Sequence, residues 1–189
     1  MTSERWKGHF LTLREALTAW LMVAALLLTL GCQQGPGAEP VGAPRAGDDT
    51  DCRNAPSLLQ TDPARAVAAC RRLAAQGFAD ARYNLGLMYH NGDGVPQDDA
   101  EAVKWYRLAA DQGDAAAQAN LGFMYGDGRG VPQDDVQAYM WFDLAAARFA
   151  ASETEKRDFV AKSRDEVASK LTPAQIAEAQ RLAREWKPQ

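Results

Sequence analysis

Chemistry in this chain would have to start from few side chains. Beyond residue 31 there is one histidine, His90, so a Ser–His–Asp or Cys–His arrangement would rest on that imidazole alone. His90 stands where a helical pattern runs into a glycine loop, a position that favours a structural role. The carboxylate pairs Asp98–Asp99 and Asp134–Asp135 have the composition for a cation site or an acid–base pair. Each pair also opens a helical pattern, where the helix dipole favours anions, so capping accounts for them. The glycine-rich stretches Asn91–Val95 and Asp127–Val131 have the look of phosphate cradles. They run into Pro and an acidic cap, and they lack the lysine and preceding strand of a P-loop, so repeat turns are the better reading. No S-x-x-K motif is present, which counts against serine acyl-enzyme chemistry. No catalytic residue, metal site or cofactor is expected.

The elements that carry these residues occur twice. Ala81 to Ala110 and Ala117 to Ala146 are identical at 18 of 30 aligned positions, at an offset of 36 residues. A fixed period of this size marks a stacked repeat architecture. In the first copy Leu85, Gly86, Met88 and Tyr89 share a helical spacing, and Asn91-Gly-Asp-Gly-Val-Pro breaks it. A second helix starts at Asp98, with Glu101 as its capping-box partner, and carries Ala102, Trp105, Tyr106 and Ala109. The second copy repeats this plan, with Asp134 and Gln137 at the cap. Small residues (Gly86, Ala102, Ala109) mark where the paired helices approach closely, and Leu85, Tyr89 and Trp105 fill the space between.

The pattern A-x-x-x-L-G-x-x-Y-x-x-G-x-G-V followed by A-x-x-W-[YF]-x-x-A-A resembles the Sel-1-like repeat family of tetratricopeptide-like α-solenoids. The resemblance implies an all-α fold, a right-handed superhelix of helix pairs, and a role in protein–protein interaction rather than catalysis. It also implies that Tyr83, Leu87 and His90, then Ala119, Phe123 and Gly126, point into the concave groove. The two copies differ at all of these positions and agree at the packing positions. Such divergence suits partner reading, although Leu87 and Phe123 could equally pack on the neighbouring repeat. A second function class, an envelope hydrolase or a β-lactam-like small-molecule binder, follows from cysteine-rich relatives of these repeats. The missing S-x-x-K motif and missing second histidine weigh against it.

Arg5, Lys7 and Arg14 precede an uncharged apolar run from Ala16 to Leu30. That length suits a signal-peptide h-region and falls short of the roughly 20 residues of a membrane-spanning helix. Residues 1–31 therefore read as an export signal. The run ends in Thr-Leu-Gly-Cys, which resembles the bacterial lipobox, and that resemblance implies cleavage before Cys32 and a lipid anchor on it. An uncleaved signal anchor and ordinary secretion stay open beside it; all three place the protein outside the cytoplasm. With Cys32 lipidated, Cys52 and Cys70 remain as a pair in an oxidising compartment. The lone histidine and absent C-x-x-C spacing make a metal site a poor alternative. A disulfide closing this loop is worth roughly 3 kcal/mol on the chain-entropy estimate.

Residues 32–51, rich in Gly and Pro, read as a flexible linker. A repeat domain is expected over 52–187. Within it, 52–77 is a degenerate repeat whose first helix shrinks to a piece near Asn54–Gln60; Asp62-Pro63 starts its second helix. Full repeats follow at 78–113 and 114–149. Capping helices at 152–187 open with boxes at Ser152–Glu155 and Thr172–Gln175, and their apolar stripes include Phe159, Val160, Val167, Ile176, Leu182 and Trp186. Beyond residue 31 there are 18 basic against 23 acidic residues with no basic stripe, so nucleic acid is not an expected partner. The expected partner is a protein or peptide of the cell envelope, with the membrane reached only through Cys32.

Overall fold

The computed structural model describes residues 47–189, within the compact unit Val41–Gln189. The expected signal segment, Cys32 and the linker as far as residue 46 lie outside the described residues. Secondary structure among the described residues is helical: α1 (Asp48–Arg53), α2 (Ala55–Leu58), α3 (Pro63–Ala75), α4 (Ala79–Asn91), α5 (Asp99–Ala110), α6 (Ala115–Asp127), α7 (Asp135–Arg148), α8 (Thr154–Ala168) and α9 (Pro173–Glu185). Helices pack chiefly on their sequence neighbours, α4 on α5 and α6 on α7 within a repeat, α5 on α6 between repeats. This is the all-α solenoid that the 36-residue period predicts.

Residue identity explains the close pairing. Inside α4 and α6, Gly86 and Gly122 lie under the rings of Tyr106 and Phe142, and a Cβ at either would penetrate the ring. Leu85, Leu121, Ala102, Ala138, Ala109 and Ala145 are fully buried around them. The 36-residue alignment continues into α3, where Ala66, Cys70 and Ala74 are buried like Ala102, Tyr106 and Ala110.

Contacts between repeats recur with the same period. Arg71 donates to the hydroxyl of Tyr89, and Arg107 donates to that of Tyr125. Arg82 Nε donates to the Ala74 carbonyl at 3.2 Å, and Gln118 Nε2 to the Ala110 carbonyl at 3.1 Å. Asn84 Nδ2 donates to the Cys52 carbonyl at 3.1 Å, and its counterpart Asn120 lies beside the hydroxyl of Tyr83. The glycine loops belong to this set. Gly94 seats on Pro63 and Val67 at the start of α3, and Gly130 on the Asp99 backbone at the start of α5. They are repeat-spacing turns.

Several boundaries differ from expectation. The region read as linker at 32–51 already contains α1. Arg72 Nη2 holds the Asp48 carboxylate at 2.5 Å, buried, and Arg65 Nε holds Asp51 at 2.7 Å; these long-range ion pairs order a stretch whose local composition favours coil. The shrunken first helix is therefore two short pieces, α1 and α2, rather than one near 54–60. Cys52 and Cys70 form a disulfide with Cα atoms 4.8 Å apart, tying α1 to α3. At the other end, the box expected at Ser152 does not form. Glu153 is the N-cap of α8, and its carboxylate accepts from the Ala150 amide and the Lys156 ammonium. Thr172 and Gln175 do form their reciprocal box at α9. α8 and α9 both cover α7, with Trp186 packed edge-on against Trp141 and Arg148 stacked 4.3 Å over the Trp186 ring. Phe159, expected in the apolar stripe of α8, is instead 59% exposed.

Candidate interaction groove

Three hollows follow one another along the face formed by α2, α4, α6 and α8, one in each gap between successive helices. The first, about 150 Å³, is lined by Ala55 and Pro56 of α2, by Leu59 just after it, and by Asn84, Leu87 and Met88 of α4. The second, about 240 Å³, lies between α4 and α6 and is lined by Leu87, His90, Phe123, Met124 and Arg129, with Tyr106 beneath. The third, about 160 Å³, lies between α6 and α8 and includes Phe123, Gly126, Asp127, Phe142 and Glu166. Leu87 lines the first two and Phe123 the last two, so neighbouring hollows share a wall. Each is of the size that accepts a benzene-sized group.

The structure brings Leu87, His90 and Phe123 together. Two residues expected in the groove are not there. Ala119 is buried, because its single Cβ is too short to emerge from under its neighbours in the core. Tyr83 leans on Tyr106, ring centroids 6.0 Å apart, with its hydroxyl beside Asn120, so it packs between α4 and α6. Burial raises the pKa of that hydroxyl above the ordinary tyrosine value. Phe159 enters the site where sequence reasoning assigned it to the core. Its ring lies 5.8 Å from Phe123, which in turn meets Phe142 edge-on at 4.8 Å. The helical period of α8 is too short and too charged to distinguish a core-facing from a groove-facing phenylalanine.

The polar groups are arranged by the repeat. Asp98 and Asp134 cap α5 and α7, accepting from the amides of Glu101 and Gln137 at 2.9 and 3.0 Å. Capping does not account for the second carboxylate of each pair. Asp99 accepts from His90 Nδ1 at 2.7 Å and from Arg129 Nε at 3.2 Å, joining the end of α4, the start of α5 and the loop after α6. The same carboxylate in the second copy, Asp135, has Oδ1 buried without a hydrogen-bond partner among the described residues. No group of three or more His, Cys, Asp or Glu residues able to hold a metal ion occurs among the described residues. The hydroxyl of Tyr106, under the middle hollow, is buried and unpaired, and burial pushes its pKa well above the ordinary value.

The Sel1 repeat family model matches residues 79–114 and 115–148. A solved Sel1 repeat protein from Oxalobacter formigenes is 34% identical, and the alignment covers 62% of this chain and 94% of that one at a TM-score of 0.50. This chain belongs to the Sel1 repeat family. It is also 32% identical, at a TM-score of 0.65, to a protective antigen of uropathogenic Escherichia coli displaying an SLR fold. That alignment covers 74% of this chain but only 29% of the antigen, so the chain spans under a third of that relative's length. No curated protein matches the chain. Sel1 repeat proteins mediate protein–protein interactions on a fold that is typically a non-enzymatic scaffold. In this member the two matched repeats frame the middle hollow, and the third lies between the second repeat and the first capping helix.

Proposed function

We propose that this Sel1 repeat chain is an exported scaffold of the cell envelope, anchored through a lipid on Cys32, that binds a segment of a partner protein along the α2–α4–α6–α8 face. The observation that carries the reading is the run of three hollows bridged by Leu87 and Phe123, at positions where the two copies differ. Leu85 and Leu121, Ala102 and Ala138, and Ala109 and Ala145, buried between the paired helices, are the same in both copies, whereas Leu87/Phe123 and His90/Gly126, which line the hollows, differ. A row of hollows with aromatic and aliphatic walls interspersed with polar and charged side chains is the form that interaction sites take. The Asp99–His90 contact has the outline of a dyad, but no serine, threonine or cysteine lines the middle hollow beside it, so scaffold binding is favoured over hydrolysis.

In-cell photocrosslinking from positions 87 and 123 tests this. A single dominant protein captured from both sites, and lost on Phe123→Glu, is the expected result. Capture of lipid or glycan alone, or of nothing, would overturn the groove reading. Globomycin-sensitive processing and loss of membrane association on Cys32→Ala test the anchor separately.

A further inference from the structure

Gly126 has no local reason to be glycine. Every other described glycine either has a positive φ or lies under an aromatic ring. Gly126 sits in the last turn of α6 in ordinary helical conformation, and a Cβ there would meet only the Cβ of Ala138, at a comfortable 3.7 Å. Glycine at such a position costs a helix about 1 kcal/mol relative to alanine. What its absent side chain leaves is open space, for Gly126 lines the third hollow.

The first repeat shows what belongs in that space. The residue equivalent to Gly126 is His90, whose Nδ1 reaches Asp99 at 2.7 Å. The residue equivalent to Asp99 is Asp135, whose Oδ1 is buried and unpartnered. A buried carboxylate oxygen with no donor is costly. The second repeat thus keeps the acceptor and lacks the donor that the first repeat supplies from its own chain. The surroundings favour a cationic donor: the hollow is lined by Asp127 and Glu166, with Ser163, against the single positive group Lys170.

We propose that the hollow beside Gly126 receives one basic side chain, an arginine or lysine of the partner segment, which takes toward Asp135 the place His90 takes toward Asp99. This rests on the groove reading above and adds the chemistry of the partner. The apolar walls Phe123 and Phe142 suit the aliphatic stem of such a side chain, and Glu166 and Asp127, which line the hollow, suit its charged end; Asp135 stands to Gly126 as Asp99 stands to His90.

The test uses the isotope-labelled full chain in detergent micelles, titrated with acetyl-Ala-Arg-Ala-amide and with the same peptide carrying neutral citrulline. The expected result is saturable movement of the Gly126, Asp135 and Ser163 amide signals with the arginine peptide, with citrulline weaker by about tenfold or more. Gly126→His, which fills the space from within, and Asp135→Asn, which removes the charge, should each abolish the response while leaving the rest of the spectrum intact. No movement up to about 10 mM peptide, an equal response to citrulline, or a wild-type response in both variants would overturn the proposal. If Phe123→Glu abolishes partner capture in cells while both of these variants capture normally, the groove stands and the basic side chain is excluded. If no site captures a protein, the groove reading itself fails.

Discussion

At the scale of single residues, the glycines sort by what surrounds them. Gly86 and Gly122 are held by the rings of Tyr106 and Phe142, so Gly86→Ala should cost about 1–3 kcal/mol as the ring or helix is displaced. Gly126→Ala should instead stabilise by about 1 kcal/mol, since the helix gains and nothing is displaced. Chemical denaturation of the two variants reads the opposite signs. Asp114 gives a pH-dependent case. It caps α6, accepting from the Ala117 amide at 2.7 Å, yet its pKa is raised above the ordinary carboxylate value, chiefly by burial. Desolvation thus outweighs the backbone amide hydrogen bonds. A raised folded-state pKa means that the folded chain prefers the protonated form. Stability from this group is present at low pH and is lost as pH rises through the folded pKa. Asp114→Asn keeps a good cap and removes the charge. Its melting temperature should exceed that of the wild type at neutral pH, and the difference should vanish below about pH 4.

At the scale of elements, the short helices α1 and α2 are too small to persist alone and depend on long-range ties. Two ion pairs, Arg72–Asp48 and Arg65–Asp51, and the Cys52–Cys70 disulfide join α1 to α3. Replacing both cysteines by serine should cost roughly 3 kcal/mol. Hydrogen exchange should speed up first in 48–60 and later, if at all, in α6 and α7. Uniform acceleration across the chain would show that the staple stabilises the whole stack rather than its end. The carboxylate pairs separate in the same way. Asp98→Ala should lower stability by about 1 kcal/mol through the lost cap of α5, whereas Asp99→Ala should loosen the Arg129 loop, seen as faster exchange at 127–131.

At the scale of the whole molecule, stability is a chain of neighbour contacts, so the ends matter most. α8 and α9 cover α7, where Trp141 and Phe142 would otherwise face water. A chain ending at residue 149 should therefore associate or precipitate, and sedimentation of the truncated protein checks this. The same logic explains why one face stays open. Helices that pack in pairs leave a gap between successive first helices, and three such gaps in register make the groove.

What the sequence determined by itself is what repeats. The 36-residue identity, the Leu-Gly and Ala positions and the Asp98 and Asp134 caps are local or periodic, and each implies its structure through helix geometry; the Cys52–Cys70 pair follows from counting cysteines once Cys32 is set aside. What only the tertiary structure decided are contacts between residues far apart in the chain. Asp48 and Asp51 order a stretch that local composition reads as coil. Ala119 and Tyr83 turn inward although their spacing matches that of Leu87 and Phe123, and Phe159 turns outward into the groove. Asp99 finds His90 and Arg129, whereas Asp135 finds no partner among the described residues. Helical spacing tells which residues share a face. Which neighbour covers that face depends on side-chain length and on the partner helix, and those meet only when the repeats stack.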